Sequence, residues 1–266
     1  ALGDRGGRSA AVGTNAEVAK LAGPATRRID LGGKAVVPGL IDNHLHLLRA
    51  GTTWQWEVRL DGMGSRARAL ELLRTRARAT PPGEWIYTLG GWALEQFADD
   101  PRPFTRDELD RALPDHPLLL QASYHASYLN SRAMTVLGIK GNSTGQIDEP
   151  GIRAVAVRLP TASGDALERS TRAMIRDLNR SGLTSVGSAG CESDVLPLYR
   201  RLADRRQLDL RVFCITGAGA SSAAQVESAL PLIRAMKVRQ GHGVLDHIAF
   251  AEGLYRSLHH PMFIKG

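Results

Sequence analysis

The sequence predicts an α/β fold built on a parallel sheet, and three observations predict it. From Ala166 onward, short apolar strands alternate with helices of roughly 12–16 residues, the rhythm of βα units. Earlier in the chain, Leu40 to His46 form a mostly apolar run after Pro38-Gly39, as in strands covered on both faces. The composition supports a sizeable core, with 43% hydrophobic residues in a chain of 266. No apolar run approaches the roughly 20 residues that span a bilayer. One large domain or two modest ones are expected, soluble and without a membrane partner.

Taken in order, AAVGTNAEVAKLAG reads as a strand, a turn and a short helix. Ile29-Asp30-Leu31 and Ala35 to Val37 read as short strands around a Gly32-Gly33 turn. The strand Leu40 to His46 follows. The stretch from Arg49 to Pro160 is irregular and reads as an insertion. It holds a helix near Ser65 to Thr80, a strand at Trp85 to Leu89, a helix at Asp107 to Leu113 after a capping Thr105, and a strand at Leu118 to Ala122. The regular series then runs helix Ala166 to Arg180, strand Leu183 to Gly187, helix Ser193 to Arg206, strand Leu210 to Thr216, helix Ala223 to Arg239 and strand Leu245 to Ala251.

The net charge of +7 comes mostly from Arg. In RARALELLRTRARA and LYRRLADRR, Arg alternates with Leu and Ala at helical spacing, which describes solvated helix faces. No aromatic-plus-basic stripe offers base stacking, so no nucleic-acid partner is expected. The two cysteines, Cys191 and Cys214, form no CxxC pair and read as buried thiols of a reducing compartment. The opening ALGDRGGRSA is too polar for a signal-peptide core. A cytoplasmic location is therefore expected, although the chain does not begin with Met, which leaves an upstream segment open.

The strongest chemical feature is His44-Leu45-His46. Residues two apart in a strand share a face, so both imidazoles point the same way. They stand at the C-terminal end of their strand, where α/β barrels build their sites, and two neutral imidazoles can share one divalent cation. Asp42 lies on the same face and can hold a ligand histidine as an acceptor. The bland alternative is a pair of surface histidines ending a strand.

The run VPGLIDNHLH, Val37 to His46, resembles the signature opening of the amidohydrolase superfamily. GTNAEVAKLAG with RRIDLGGKAVVPGL is similar to the small β-sandwich segment that precedes the barrel in these enzymes. RDELDRALPDHPLLL, HASYLNSRAM, LNRSGLTSVGSAG and LYRRLADRRQLDLRVF look like successive blocks of amidohydrolase family 3, the branch that includes N-substituted formamide deformylase-like enzymes. The resemblance implies the N-terminal part of a (β/α)8 metal-dependent hydrolase barrel. A β-sandwich segment would occupy 1–37, and the first half of the barrel 38–266 with its insertion at about 50–160.

The resemblance further implies a divalent metal, with zinc the expected ion, and hydrolysis of a non-peptide C–N bond in an amide-like small molecule. His44 and His46 would be metal ligands and Asp42 would support one of them. His125 and Trp92 would face the substrate; their plain alternatives are a histidine at a helix start and a core tryptophan. The branch's later histidines and its strand-eight Asp have no counterpart before Gly266, so no catalytic residue is assigned and the chain reads as the N-terminal half of a longer enzyme. The missing half is then a candidate partner.

Two departures favour one metal over two. The strand-four Lys of many relatives is absent, leaving Glu252 as the only carboxylate there, a third ligand or an exposed loop group. Gly187 stands where relatives often have His. His242, His247, His259 and His260 show no chelating spacing. Competing expectations are a non-catalytic or truncated fragment and a related metal hydrolase acting on an ester.

Overall fold

The computed structural model describes residues 1–123, 126–140, 142–191, 193–217, 223–235, 238 and 243–250. The chain divides into two compact units, Ala1–Leu40 and Ile41–Gly266.

In the first unit, β1 (Leu2–Arg5) pairs antiparallel with β2 (Arg8–Val12). Helix α1 (Asn15–Ala19) follows, started by a capping box in which Thr14 accepts from the Glu17 N–H and the Glu17 carboxylate accepts from the Thr14 N–H. The Gly32-Gly33 turn forms, with the Asp30 carboxylate accepting the Gly32 N–H at 2.8 Å. The strands expected on either side of it do not: 29–31 and 35–37 belong to no sheet. Two three-residue arms offer too few ladder bonds to hold a hairpin, and Ile29, Val36 and Val37 stay exposed instead of finding a face to bury.

In the second unit, β3 (Leu40–Leu45) leads into α2 (Leu47–Thr53). Then come α3 (Arg66–Arg78), β4 (Ile86–Leu89), α4 (Arg106–Ala112), β5 (Leu118–Gln121), β6 (Ser127–Leu129), α5 (Ser131–Leu137), β7 (Gln146–Ile147) and α6 (Glu149–Ala156). The βα series follows as α7 (Gly164–Arg180), β8 (Leu183–Ala189), α8 (Leu196–Asp204), β9 (Arg211–Thr216), α9 (Ala223–Ala235) and β10 (Leu245–Phe250).

These strands form two separate four-stranded sheets. One has the order β3-β8-β9-β10, with β8, β9 and β10 parallel. One of its faces is sealed by α2, α7 and α8, through Leu47, Leu48, Met174, Ile175, Tyr199 and Leu202 against Val186, Val212 and Cys214. Strand alternation turns Phe213 and Ile215 to the opposite face, where they are half-buried. The sheet does not close on itself among the described residues.

The other sheet has the order β4-β5-β6-β7 and is covered on both faces. Ile86, Leu118, Leu120 and Tyr128 pack with α3 and α4, while Tyr87, Leu119, Leu129 and Ile147 pack with α5 and α6. The period-2 split of neighbouring residues between two cores is what a sheet buried on both sides requires.

The cysteine expectation needs correction. Cys191 and Cys214 are fully buried, as expected, but they form a disulfide, with their Cα atoms 5.5 Å apart. Twenty-three positions separate them in sequence, and α8 brings the chain back so that strand β9 lies beside the end of β8. Nothing in their spacing signals this.

No helix of the described residues is long and apolar enough to cross a membrane.

Candidate metal centre

Strand β3 delivers the histidine pair. Leu45 packs against the helix-covered core of the parallel sheet, so alternation sends His44 to the other face, which no helix covers among the described residues. His46 follows immediately after the strand, with φ −85° and ψ 65°, and its carbonyl accepts the first bond of α2, from the Ala50 N–H at 3.0 Å. The two rings stand edge to face with centroids 5.6 Å apart and planes at 85°. His44 is exposed and His46 half-buried.

Asp42 is placed to steady this turn. Its carboxylate accepts the backbone N–H of His44 at 2.9 Å, which fixes the chain carrying the imidazole. Neighbouring β8 presses close from the other side. A β-carbon built at Gly187 would fall on the Asn43 carbonyl oxygen, so the residue beside β3 must be glycine for the two backbones to approach as they do. At the end of β8, Gly190 adopts φ +71°, and a β-carbon there would stand 3.6 Å from His46 Nδ1. The turn at Gly190 therefore lies beside that ring, with room for about a methyl group in between. The sequence singled out Gly187 only as a departure and gave no sign of Gly190.

As donors, two imidazoles at one strand end suit a divalent cation held at roughly 2.0–2.1 Å per nitrogen. They supply two positions. No group of three His, Cys, Asp or Glu side chains able to hold a metal occurs among the described residues. Glu252 and His125 lie outside the described residues.

Trp92 is placed in the second sheet's core, 6% exposed, against Phe97 and Phe104, and its indole N–H donates to Thr88 at 2.9 Å. Its surroundings are those of a core aromatic with a satisfied polar tip, not of a pocket wall. His247, on β10, pairs in register with Cys214 and so shares the helix-covered face, away from His44. Its ring contacts Thr216 Oγ1 at 3.3 Å, and burial pushes its pKa down, with Arg200 adding to the shift. It does not join the pair on β3.

Two cavities, of about 400 and 350 Å³, lie far along the chain from the histidines, around Arg106 between α4, α5 and the segment before β7. Buried charge also gathers in that region. Arg66 is ion-paired to Glu108 at 2.6 Å, donates to the carbonyls of Arg102 and Pro103, and lies 3.8 Å above the Phe104 ring.

The amidohydrolase family profile matches residues 27–253. Over 222 residues the chain is 32% identical to the N-substituted formamide deformylase of Arthrobacter pascens, an alignment covering 74% of this chain and 40% of that enzyme. The solved structure of an uncharacterized metal-dependent hydrolase from Pyrococcus furiosus matches 92% of this chain and 50% of its own, with a TM-score of 0.51 at 22% identity. A counterpart from Pyrococcus horikoshii OT3 gives a TM-score of 0.52 at 19% identity over 93% of this chain and 49% of its own. The two structures speak to the fold, and this chain spans half or less of each protein it matches. A profile match over residues 27–253, a span that includes the strand leading to the two histidines, makes this chain a member of the amidohydrolase family.

Proposed function

We propose that the protein is a metal-dependent amidohydrolase that cleaves a non-peptide C–N bond of an amide-like small molecule. The observation that carries this reading is the His44–His46 pair, two imidazoles 5.6 Å apart at the end of a parallel-sheet strand. These two residues would hold the divalent metal, with zinc the first candidate for an all-nitrogen start to the donor set. Such a metal, when bound, supplies Lewis acidity toward a carbonyl and toward water at neutral pH. The chain's own part is to position. Asp42 fixes the backbone of His44, and Gly187 and Gly190 bring β8 against the pair. Glu252 would be a third donor, and His125 would meet the substrate. The similarity to the N-substituted formamide deformylase of Arthrobacter pascens supports an amide-type bond as the first substrate class to assay.

The test is metal content of the intact protein and of H44A/H46A, measured with turnover of formamides and simple esters. Loss of bound metal and of formamide hydrolysis, with the melting profile of the metal-free protein unchanged, is the expected result. Unchanged metal content would reject the site, and ester turnover alone would reject the bond class.

A further inference from the structure

We infer that the Cys191–Cys214 disulfide is a positioning brace for the His46 ring. His46 sits where strand geometry has already ended, so the ladder of β3 does not by itself set where its imidazole points. Beside the ring lies the turn at Gly190, whose left-handed φ takes the chain out of β8 and whose added β-carbon would stand 3.6 Å from His46 Nδ1. The next residue is Cys191. Its N–H donates to the Ile215 carbonyl at 3.5 Å, a long bond that holds weakly. The covalent link from Cys191 to Cys214, inside β9, is therefore the firm attachment of this turn to the sheet. Cys214 is anchored in turn by register pairing to Ser188 and His247 and by the core under α7 and α8. The path from brace to ring is short: β9, the disulfide, Gly190, His46.

Both sulfurs are fully buried, which makes the bond a permanent part of the fold, not an accessible redox switch. Its consequence for metal binding rests on the proposed metal site, whereas its effect on the ring does not. Outer groups that fix a ligand histidine typically change metal affinity by about 10–100-fold when removed, and the lower end applies where a neighbouring turn is loosened and not lost.

The experiment uses the intact protein, purified without reductant, with cobalt(II) alone as the metal probe. Denatured and treated with an alkylating agent, the wild type should gain no adduct; two adducts would overturn the brace. In C191A/C214A, and in the better-filled C191V/C214A should the first not fold, the histidine ring NMR signals of His46 should shift and broaden. Cobalt affinity should fall about tenfold. L202A, which loosens the same core on α8 without touching the turn, should leave the His46 signals in place and cobalt affinity within about twofold. His46 signals unmoved by loss of the disulfide, or moved equally by L202A, would overturn the inference. Moved His46 signals with cobalt affinity identical in wild type and H46A would uphold the brace and reject the metal site.

Discussion

The two sheets of the second unit solve the same problem differently. The β4–β7 sheet is sealed on both faces, by α3 and α4 on one side and α5 and α6 on the other. Among the described residues the β3-β8-β9-β10 sheet is sealed on one face, and its other face presents His44 with the half-buried Phe213 and Ile215. Unusual electrostatics favour the first region: it holds the buried Arg66, the buried Glu57 and Asp99, whose carboxylate is pulled down to about 2 by the N–H of Arg66 and further bonds from Ala67 and Ser65. Both cavities lie there too. Yet the charges of Arg66 and Asp99 are spent on structure. Asp99 caps α3, and Arg66 ties α3 to α4 and to the chain before it. The lesson is that perturbed ionisation marks a functional site only where a face is open to a ligand. The open face here carries imidazoles placed by backbone geometry.

That contrast can be broken in several ways. The largest effect is expected at the open sheet, where H44A/H46A should remove essentially all bound metal while costing little fold stability, because His44 is exposed. In the sealed region the converse holds. Arg66→Ala leaves Glu108 and two backbone carbonyls without their buried partner and should cost about 3–5 kcal/mol in urea unfolding, with metal content per folded molecule unchanged. Loss of metal in that variant would show the two sheets to be coupled.

Gly187→Ala sharpens the comparison from within the open sheet. Its methyl group must displace β3 at Asn43, next to His44, so it should cost about 1–3 kcal/mol and weaken metal binding together. A stability loss with metal affinity intact would mean that the pair tolerates movement of its strand.

The smallest effect is expected from Glu57→Gln. Burial raises the Glu57 carboxyl above its ordinary value, against the hydrogen bond from Thr53 and the charges of Arg49 and Arg59. The folded state thus prefers the protonated form. Its stabilising contribution is complete below the unfolded-state value and is lost as pH rises through the higher folded-state value. Gln mimics the protonated form, so the variant should gain less than about 1 kcal/mol over wild type at pH 8 and nothing at pH 4. A wild type that is more stable than the variant at pH 8 would reverse the sign and show the carboxylate to be a net stabiliser.

Much of the fold was legible in the residues. The βα series from Ala166 was readable because its periods are long and strongly apolar, and the capped helices after Ser65 and Thr105 were readable because capping chemistry is local. The arms at 29–31 and 35–37 misled because β pattern alone does not supply a pairing partner. Within the site, a period of two put His44 and His46 on one face by sequence, whereas β3 ends at Leu45 and His46 lies just beyond it, its ring edge to face with that of His44. Trp92 could be core or pocket wall by sequence, since an aromatic suits either, and only its contacts with Phe97, Phe104 and Thr88 decide.

By itself, then, the sequence determined the strand that leads to the candidate ligands His44 and His46, because strand alternation and βα rhythm are encoded within a few neighbouring positions. The tertiary structure alone decided what surrounds them: the Cys191–Cys214 bond, the Gly190 turn beside His46, the burial of Trp92 and the turning of His247 to the far face. Each of these depends on which strands become neighbours after a helix returns the chain. That adjacency is set by packing the whole sheet, and no local run of residues records it.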